Sequence, residues 1–171
     1  MWRYCLRSLV LVVVASLAAG VVHAADAVYA PLWLYQGTWR VSRSDLAAGA
    51  KPDELKNQCA LLGKYFACQQ TINGQAGALV IFIPAAAAGH YYTQNVRVDG
   101  FASGRGNLEI AGDRWTYSST RDESGKTVYY RTTNAFTGKN RIHFESAESN
   151  DGKNWKVTGS GDEVRVGAVA R

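Results

Sequence analysis

Short runs of alternating apolar and polar residues fill most of the chain, and turn residues separate these runs at regular intervals. From Tyr35 onward the turn signals recur about every ten to fourteen residues, which predicts antiparallel strands joined by hairpins. Asn-Gly and Asp-Gly pairs favour tight hairpin turns because both central residues need positive φ. The turn signals stand at Gly63-Lys64, Asn73-Gly74, Asp99-Gly100, Gly112-Asp113, Glu123-Ser124-Gly125, Thr137-Gly138 and Asp151-Gly152.

One of these turns predicts a register that collects large apolar side chains on one face. The turn at residues 112–113 sets Ile110 opposite Trp115 and Leu108 opposite Tyr117. All four side chains then share one face of the sheet, as a buried face requires.

The turn at residues 73–74 predicts a second register in the same way. It sets Cys68 opposite Leu79 and Phe66 opposite Ile81.

The elements together predict an all-β fold, an antiparallel up-and-down barrel of about eight to ten strands. One short helix is expected between strands 1 and 2, over residues 52–56, because Pro52 stands at a favoured first position and Asp53 and Glu54 suit a first turn. The barrel domain is assigned to residues 35–166 and a tail to residues 167–171. No repeat and no second domain is evident in the sequence.

The first 24 residues read as a secretory signal peptide. Arg3 and Arg7 precede an apolar run that is too short for a membrane span, and Ala24 ends a small-residue cleavage site. We therefore expect a periplasmic or secreted protein without a membrane span, which begins with an amino-terminal arm over residues 25–34. The chain has 171 residues with 19 basic and 14 acidic ones, and two of the basic residues leave with the signal, so the remaining net charge is +3. Such a mild, scattered charge argues against nucleic-acid binding.

Two cysteines, Cys59 and Cys68, follow the signal and are expected to form a disulfide in an exported protein. A two-residue turn at Gly63-Lys64 sets them opposite each other at a non-hydrogen-bonded position, where the backbones are closest. A redox-active pair is the alternative, but the nine-residue separation is unlike Cys-x-x-Cys.

Two features of the sequence resemble those of the calycin superfamily, which includes the lipocalins. Gly37-x-Trp39 stands on the first predicted strand, and Arg165 stands near the end of the last. The resemblance implies that Arg165 packs across Trp39 and closes the barrel base, and a guanidinium over an indole is a favourable cation–π contact. The chain lacks the long carboxy-terminal helix and the usual disulfide of lipocalins, and looks closer to short lipocalin-like barrels of unknown function that bacteria export.

No constellation of residues indicates catalysis, a metal or a cofactor. His90 and His143 stand on different strands without cysteines or carboxylates at metal-ligand spacing, and solvated strand histidines are favoured over the haem ligation known in nitrobindin-like calycins. Asp162 and Glu163 are expected at the surface, or as counter-charges for a neighbouring arginine. No catalytic residue is assigned, and the chain is interpreted as a binding protein rather than an enzyme.

Aromatic and polar residues recur on successive predicted strands, a composition that suits a ligand cavity as well as a barrel core. We expect a non-catalytic barrel that binds a small apolar or amphipathic molecule. The alternatives are a barrel that binds a protein partner, such as a protease inhibitor acting through its arm, and third an enzyme with an unidentified site. The predicted ligand contacts are Tyr91, Arg97, Trp115, Tyr117, Tyr129 and Arg131.

Overall fold

The residues that the computed structural model describes, 24–47 and 49–167, form ten antiparallel strands closed into one barrel. Each strand pairs with its neighbours in the chain, and the last strand pairs with the first, which confirms the predicted up-and-down barrel. The strands are β1 (Gly37–Arg43), β2 (Asp53–Leu62), β3 (Tyr65–Ile72), β4 (Gln75–Pro84), β5 (His90–Val96), β6 (Gly106–Ala111), β7 (Arg114–Glu123), β8 (Lys126–Thr137), β9 (Arg141–Ser149) and β10 (Lys156–Gly167).

The helical segment of the barrel lies before β1 rather than within residues 52–56. An α-helix, α1 (Ala24–Tyr29), continues into a 3-10 helix (Ala30–Tyr35), whereas residues from Asp53 onward belong to β2. The prediction of a helix beginning at Pro52 is thereby corrected. Two acidic residues and a proline are a weak local preference, and β2 pairs with β1 from Asp53 to Asn57, so the ladder outweighs that preference.

Residues 24–35, here called the plug, pack across one end of the barrel. Leu32 and Tyr29 are fully buried there against the aromatic side chains of the strands. The Tyr29 hydroxyl donates to the Lys64 carbonyl at 2.6 Å, and the Tyr91 hydroxyl donates to the Val28 carbonyl at 2.5 Å. These bonds fix the segment that the sequence predicted as an arm, residues 25–34, to the rim of the barrel.

The observed registers show where the turn rules apply. β6 and β7 pair as predicted, with Ile110 opposite Trp115 and Leu108 opposite Tyr117. β2 and β3 also pair as predicted, and a disulfide joins Cys59 to Cys68 with a Cα–Cα distance of 4.0 Å.

The predicted β3–β4 register is wrong by one residue. Cys68 lies opposite Val80 and Phe66 opposite Phe82, because the register shifts between Gln69 and Thr71. This irregularity adds one residue to β4, where Gly77 and Ala78 lie opposite the single residue Gln70 of β3. As a result Val80 and Phe82 face the barrel interior.

The predicted signal peptide and tail fall largely outside the described residues. Residues 1–23 and 168–171 are not described, whereas Ala24 begins α1 and Gly167 ends β10. Among the described residues, we find no helix with the length and apolar character needed to cross a membrane.

Candidate ligand cavity

A cavity of about 840 Å³ occupies the barrel interior between the plug and the opposite, open end. The inward-facing side chains of Val41, Leu55, Val80, Phe82 and Phe144 form its apolar wall. Small-molecule sites commonly measure roughly 300–1,000 Å³ and are mostly apolar with a few polar groups. The described interior is therefore hollow and large enough for a ligand of drug-like size.

Aromatic packing separates the cavity from the plug. Tyr35 at the end of the plug stacks against Phe82 at 6.4 Å between ring centroids and meets Trp115 edge-on at 5.0 Å. Trp115 in turn packs on Phe136 at 4.6 Å. This layer forms the floor of the cavity, and Tyr35 faces the cavity from it.

A hydrogen-bonded cluster of three polar side chains lies at this floor. The Tyr117 hydroxyl and the Asn134 side-chain amide both donate to the Tyr35 hydroxyl oxygen, each at 2.8 Å. Burial raises the pKa of both tyrosines well above the ordinary value, so both hydroxyls remain protonated at neutral pH. Because Tyr35 accepts both bonds, its own hydroxyl hydrogen is not used in either of them.

Glu163 brings a carboxylate into the same region. It stands on β10 with Val41 and Ile142 as its two cross-strand neighbours, and it lines the cavity. In residues 24–47 and 49–167 no side chain forms a hydrogen bond or an ion pair with this carboxylate. Burial raises the pKa of Glu163 to about 7, and the charge of Glu163 contributes to the raised pKa of Tyr35 and Tyr117.

Arg165 closes the barrel end beneath Glu163. Its guanidinium carbon lies 4.1 Å from the ring centroid of Trp39, the contact that the calycin resemblance implies. The guanidinium also donates to the carbonyl oxygens of Leu34 at 2.5 Å, of Lys139 at 3.1 Å and of Gln36. Arg165 thus joins the plug to the wall, and Trp39 is fully buried below it.

Three of the predicted ligand contacts lie on the inner face of the barrel, at different depths. Tyr117 lines the cavity. Tyr91 and Trp115 are buried in the closed end, where Tyr91 bonds the plug and Trp115 packs on Tyr35. Of these three, Tyr117 is the one whose side chain meets the cavity.

The other three predicted contacts have partners outside the cavity. Arg97 forms an exposed ion pair with Asp99 at 2.9 Å. Arg131 borders the cavity, but its guanidinium lies 4.2 Å from the ring centroid of Trp155. Tyr129 has the opposite parity to the inward-facing residues of β8 and packs near the turn at residue 152. Ligand contact by these residues stays a prediction.

Sequence reasoning missed Glu163, which was expected at the surface together with Asp162. Asp162 does face outward, where it pairs with His143 at 3.0 Å. Glu163 faces inward because it is two residues from Arg165 and so shares its side of the strand. That parity was the signal available in the sequence.

The described residues contain no group of three or more histidine, cysteine or acidic side chains that could hold a metal ion. His90 is exposed, and His143 lies at the outer surface.

Comparison with known proteins finds similarity in fold among solved structures. No protein-family model matches the chain, and no curated protein matches it. Among solved structures, the chain is similar to the S-type phycobiliprotein lyase CPES from Guillardia theta, with a TM-score of 0.53 and 10% identity over 84% of this chain and 94% of that one. It is also similar to Rv2717c from M. tuberculosis, with a TM-score of 0.49 and 12% identity over 81% of this chain and 97% of that one. At this identity, the likeness to the lyase shows the barrel fold alone.

Proposed function

We propose that this protein binds a small amphipathic molecule inside its barrel and does not transform it. The observation that carries the proposal is the cavity of about 840 Å³, which is closed by the plug at one end and open at the other. An empty apolar space of this size forfeits the contacts that packed side chains would make, so a barrel needing only stability would fill it.

The distribution of polar groups supports an amphipathic rather than a purely apolar ligand. Apolar side chains supply the larger part of the wall area, polar side chains also line it, and Tyr35, Tyr117, Asn134 and Glu163 lie together near the floor. A few placed polar groups in an apolar pocket fix the orientation of a ligand. A molecule with one polar end and an apolar body would match this arrangement.

The position of the plug favours a ligand over the alternative of a protease inhibitor. That alternative called for a protruding arm on a barrel filled with side chains. Here Leu32 and Tyr29 are buried within the barrel end, and the interior beyond them is hollow. The binding surface is therefore assigned to the interior of the barrel.

Native mass spectrometry of the purified protein tests the proposal, together with a variant that fills the cavity. Val80→Trp adds an indole to the inner wall, while Leu79→Trp adds the same group one residue away on the outer face. We expect the wild type and the Leu79 variant to carry a bound small molecule or to bind an added apolar fluorophore, and the Val80 variant to do neither. Equal binding by all three proteins would contradict an interior site.

We also propose that the protein acts after export, in the periplasm or outside the cell. The predicted signal peptide and the Cys59–Cys68 disulfide support this, since structural disulfides persist in oxidising compartments. Expression in a bacterial host, followed by fractionation and mass measurement, tests it. We expect a periplasmic product that begins at Ala25, and a full-length cytoplasmic product would contradict the assignment.

A further inference from the structure

We infer that the ligand carries a protonated amine, which the carboxylate of Glu163 binds, attached to an apolar body that occupies the cavity. This inference rests on the proposed function and names the chemical class of the ligand. It starts from a carboxylate that faces a hollow interior and has no counter-charge among the described residues.

The nearest cation along the strand is already engaged elsewhere. Arg165 shares the inner face of β10 with Glu163, yet its guanidinium lies over Trp39 and donates to carbonyl oxygens of Leu34, Gln36 and Lys139. No ion pair joins it to Glu163 in the described structure. The positive charge of Arg165 therefore holds the barrel end together and does not neutralise the carboxylate.

The other charged groups on the inner face lie towards the mouth of the cavity. Arg43 on β1 forms an ion pair with Asp45 at 2.6 Å, and Arg121 on β7 contacts Glu123 at 3.5 Å. These arginines are about half or more exposed. Besides Glu163, the titratable and charged residues that line the cavity are Tyr35, Arg43, Asp53, Tyr117, Arg121, Asp122, Tyr130 and Arg131.

Burial destabilises the ionised form of Glu163 when no counter-charge is present. Val41 and Ile142 flank Glu163 across the two neighbouring strands, and both are buried. An ionised carboxylate is disfavoured in such surroundings unless it is paired and hydrogen-bonded. The raised pKa of Glu163 reports the same penalty. A ligand cation would relieve it, whereas a ligand anion would increase it.

The walls define the remainder of the ligand. Leu55, Val80, Phe82 and Phe144 offer aliphatic and aromatic contacts along the cavity. Burying apolar area supplies affinity, and a charge-assisted hydrogen bond supplies selectivity for the charged end. An aryl-alkyl amine of moderate length satisfies both parts.

Isothermal titration calorimetry with three matched probes tests the inference. Phenylbutylamine, phenylbutanol and phenylbutyrate share one apolar body and differ in charge. The proteins are the wild type, Glu163→Gln, Glu163→Asp and the control Glu109→Gln, which changes an exposed glutamate on the outer face of β6. The titrations are run at about pH 8, where Glu163 is ionised and the amine remains protonated.

We expect the wild type to bind the amine more tightly than the alcohol, and the butyrate least. Glu163→Gln should weaken the amine about 10- to 100-fold and leave the alcohol within about twofold, as loss of a charge-assisted hydrogen bond predicts. Glu163→Asp keeps the negative charge and should retain a preference for the amine. This variant therefore distinguishes loss of the charge from a general effect of substitution on folding. Glu109→Gln should bind like the wild type.

The two proposals fail in different ways. Equal binding of the amine and the alcohol, or tighter binding of the butyrate, would overturn the amine inference while leaving an occupied cavity. Failure of all three probes to bind the wild type would contradict the cavity function as well. An amine preference that persists undiminished in Glu163→Gln would assign the charge recognition to another residue.

Discussion

Replacing Glu163 by Gln should stabilise the ligand-free protein at alkaline pH and leave its stability at acidic pH nearly unchanged. Gln keeps the shape and the hydrogen-bonding capacity of the side chain but carries no charge. In the folded protein Glu163 faces the cavity between apolar neighbours, and burial raises its pKa from 4.5 to about 7. In the unfolded chain the same group is solvated and has its ordinary pKa.

The sign of the effect follows from linkage. Because the folded pKa lies above the unfolded one, the stability associated with the protonated acid is fully present below about pH 4.5 and is lost as the pH rises to about 7. A tenfold change in an equilibrium is worth about 1.4 kcal/mol. The free energy of unfolding of the wild type should therefore fall by about 3 kcal/mol across this window through Glu163 alone, and then stay level.

Urea denaturation at pH values from about 4.5 to 9 measures this difference. At each pH, the free energy of unfolding of the wild type is compared with those of Glu163→Gln and Glu109→Gln. The contributions of the other titrating groups then cancel in the difference. The difference between Glu163→Gln and the wild type should grow from near zero at the acidic limit to about 3 kcal/mol above pH 7. Parallel curves for the two proteins over the whole range would refute the argument, because they would mean that Glu163 is as solvated when folded as when unfolded.

Three further outcomes are expected from the same structure. Reduction of the disulfide should lower the free energy of unfolding by about 2–3 kcal/mol in urea titrations, and an unchanged midpoint would contradict its structural role. Arg165→Ala should lower the free energy of unfolding by about 3 kcal/mol and the melting temperature with it, and Arg165→Lys should be intermediate. Equal melting temperatures for the wild type and both variants would exclude the guanidinium as the link between plug and wall. Gly161→Ala should lower the free energy of unfolding by about 1–3 kcal/mol, because the added Cβ would overlap the Ser42 carbonyl oxygen. A Cβ at Gly159 meets nothing within 4 Å, so Gly159→Ala should leave the stability nearly unchanged. Similar losses of stability at both positions would contradict the packing.

The barrel could be predicted from the sequence because its strands are joined by short turns with strong local signals. Where a turn fixed the register without interruption, as between β6 and β7 or between β2 and β3, the prediction is confirmed. Between β3 and β4 the register shift near Gln69 displaced it by one residue. Irregularities of this kind depend on packing around the barrel, so they cannot be predicted from the local sequence.

The polar floor could be predicted less well, since its members come from distant parts of the chain. Tyr35 meets Asn134 across 99 residues of sequence, so no local pattern joins them. Glu163 was the exception, because the inward assignment of Arg165 already fixed its direction by parity. Its expected position at the surface followed a general preference of charged residues, which a hollow interior overrides.

The disulfide has a consequence for how the protein responds to its chemical surroundings. Cys68 borders the cavity and is only 2% exposed, so a ligand that fills the barrel would lie beside this buried end of the bond. Thiol–disulfide exchange requires a thiolate to reach a sulfur, and its rate depends on that access. A buried sulfur exchanges slowly, so the Cys59–Cys68 bridge should resist small thiols in the folded protein, and rapid opening would report loosening of the barrel wall around it.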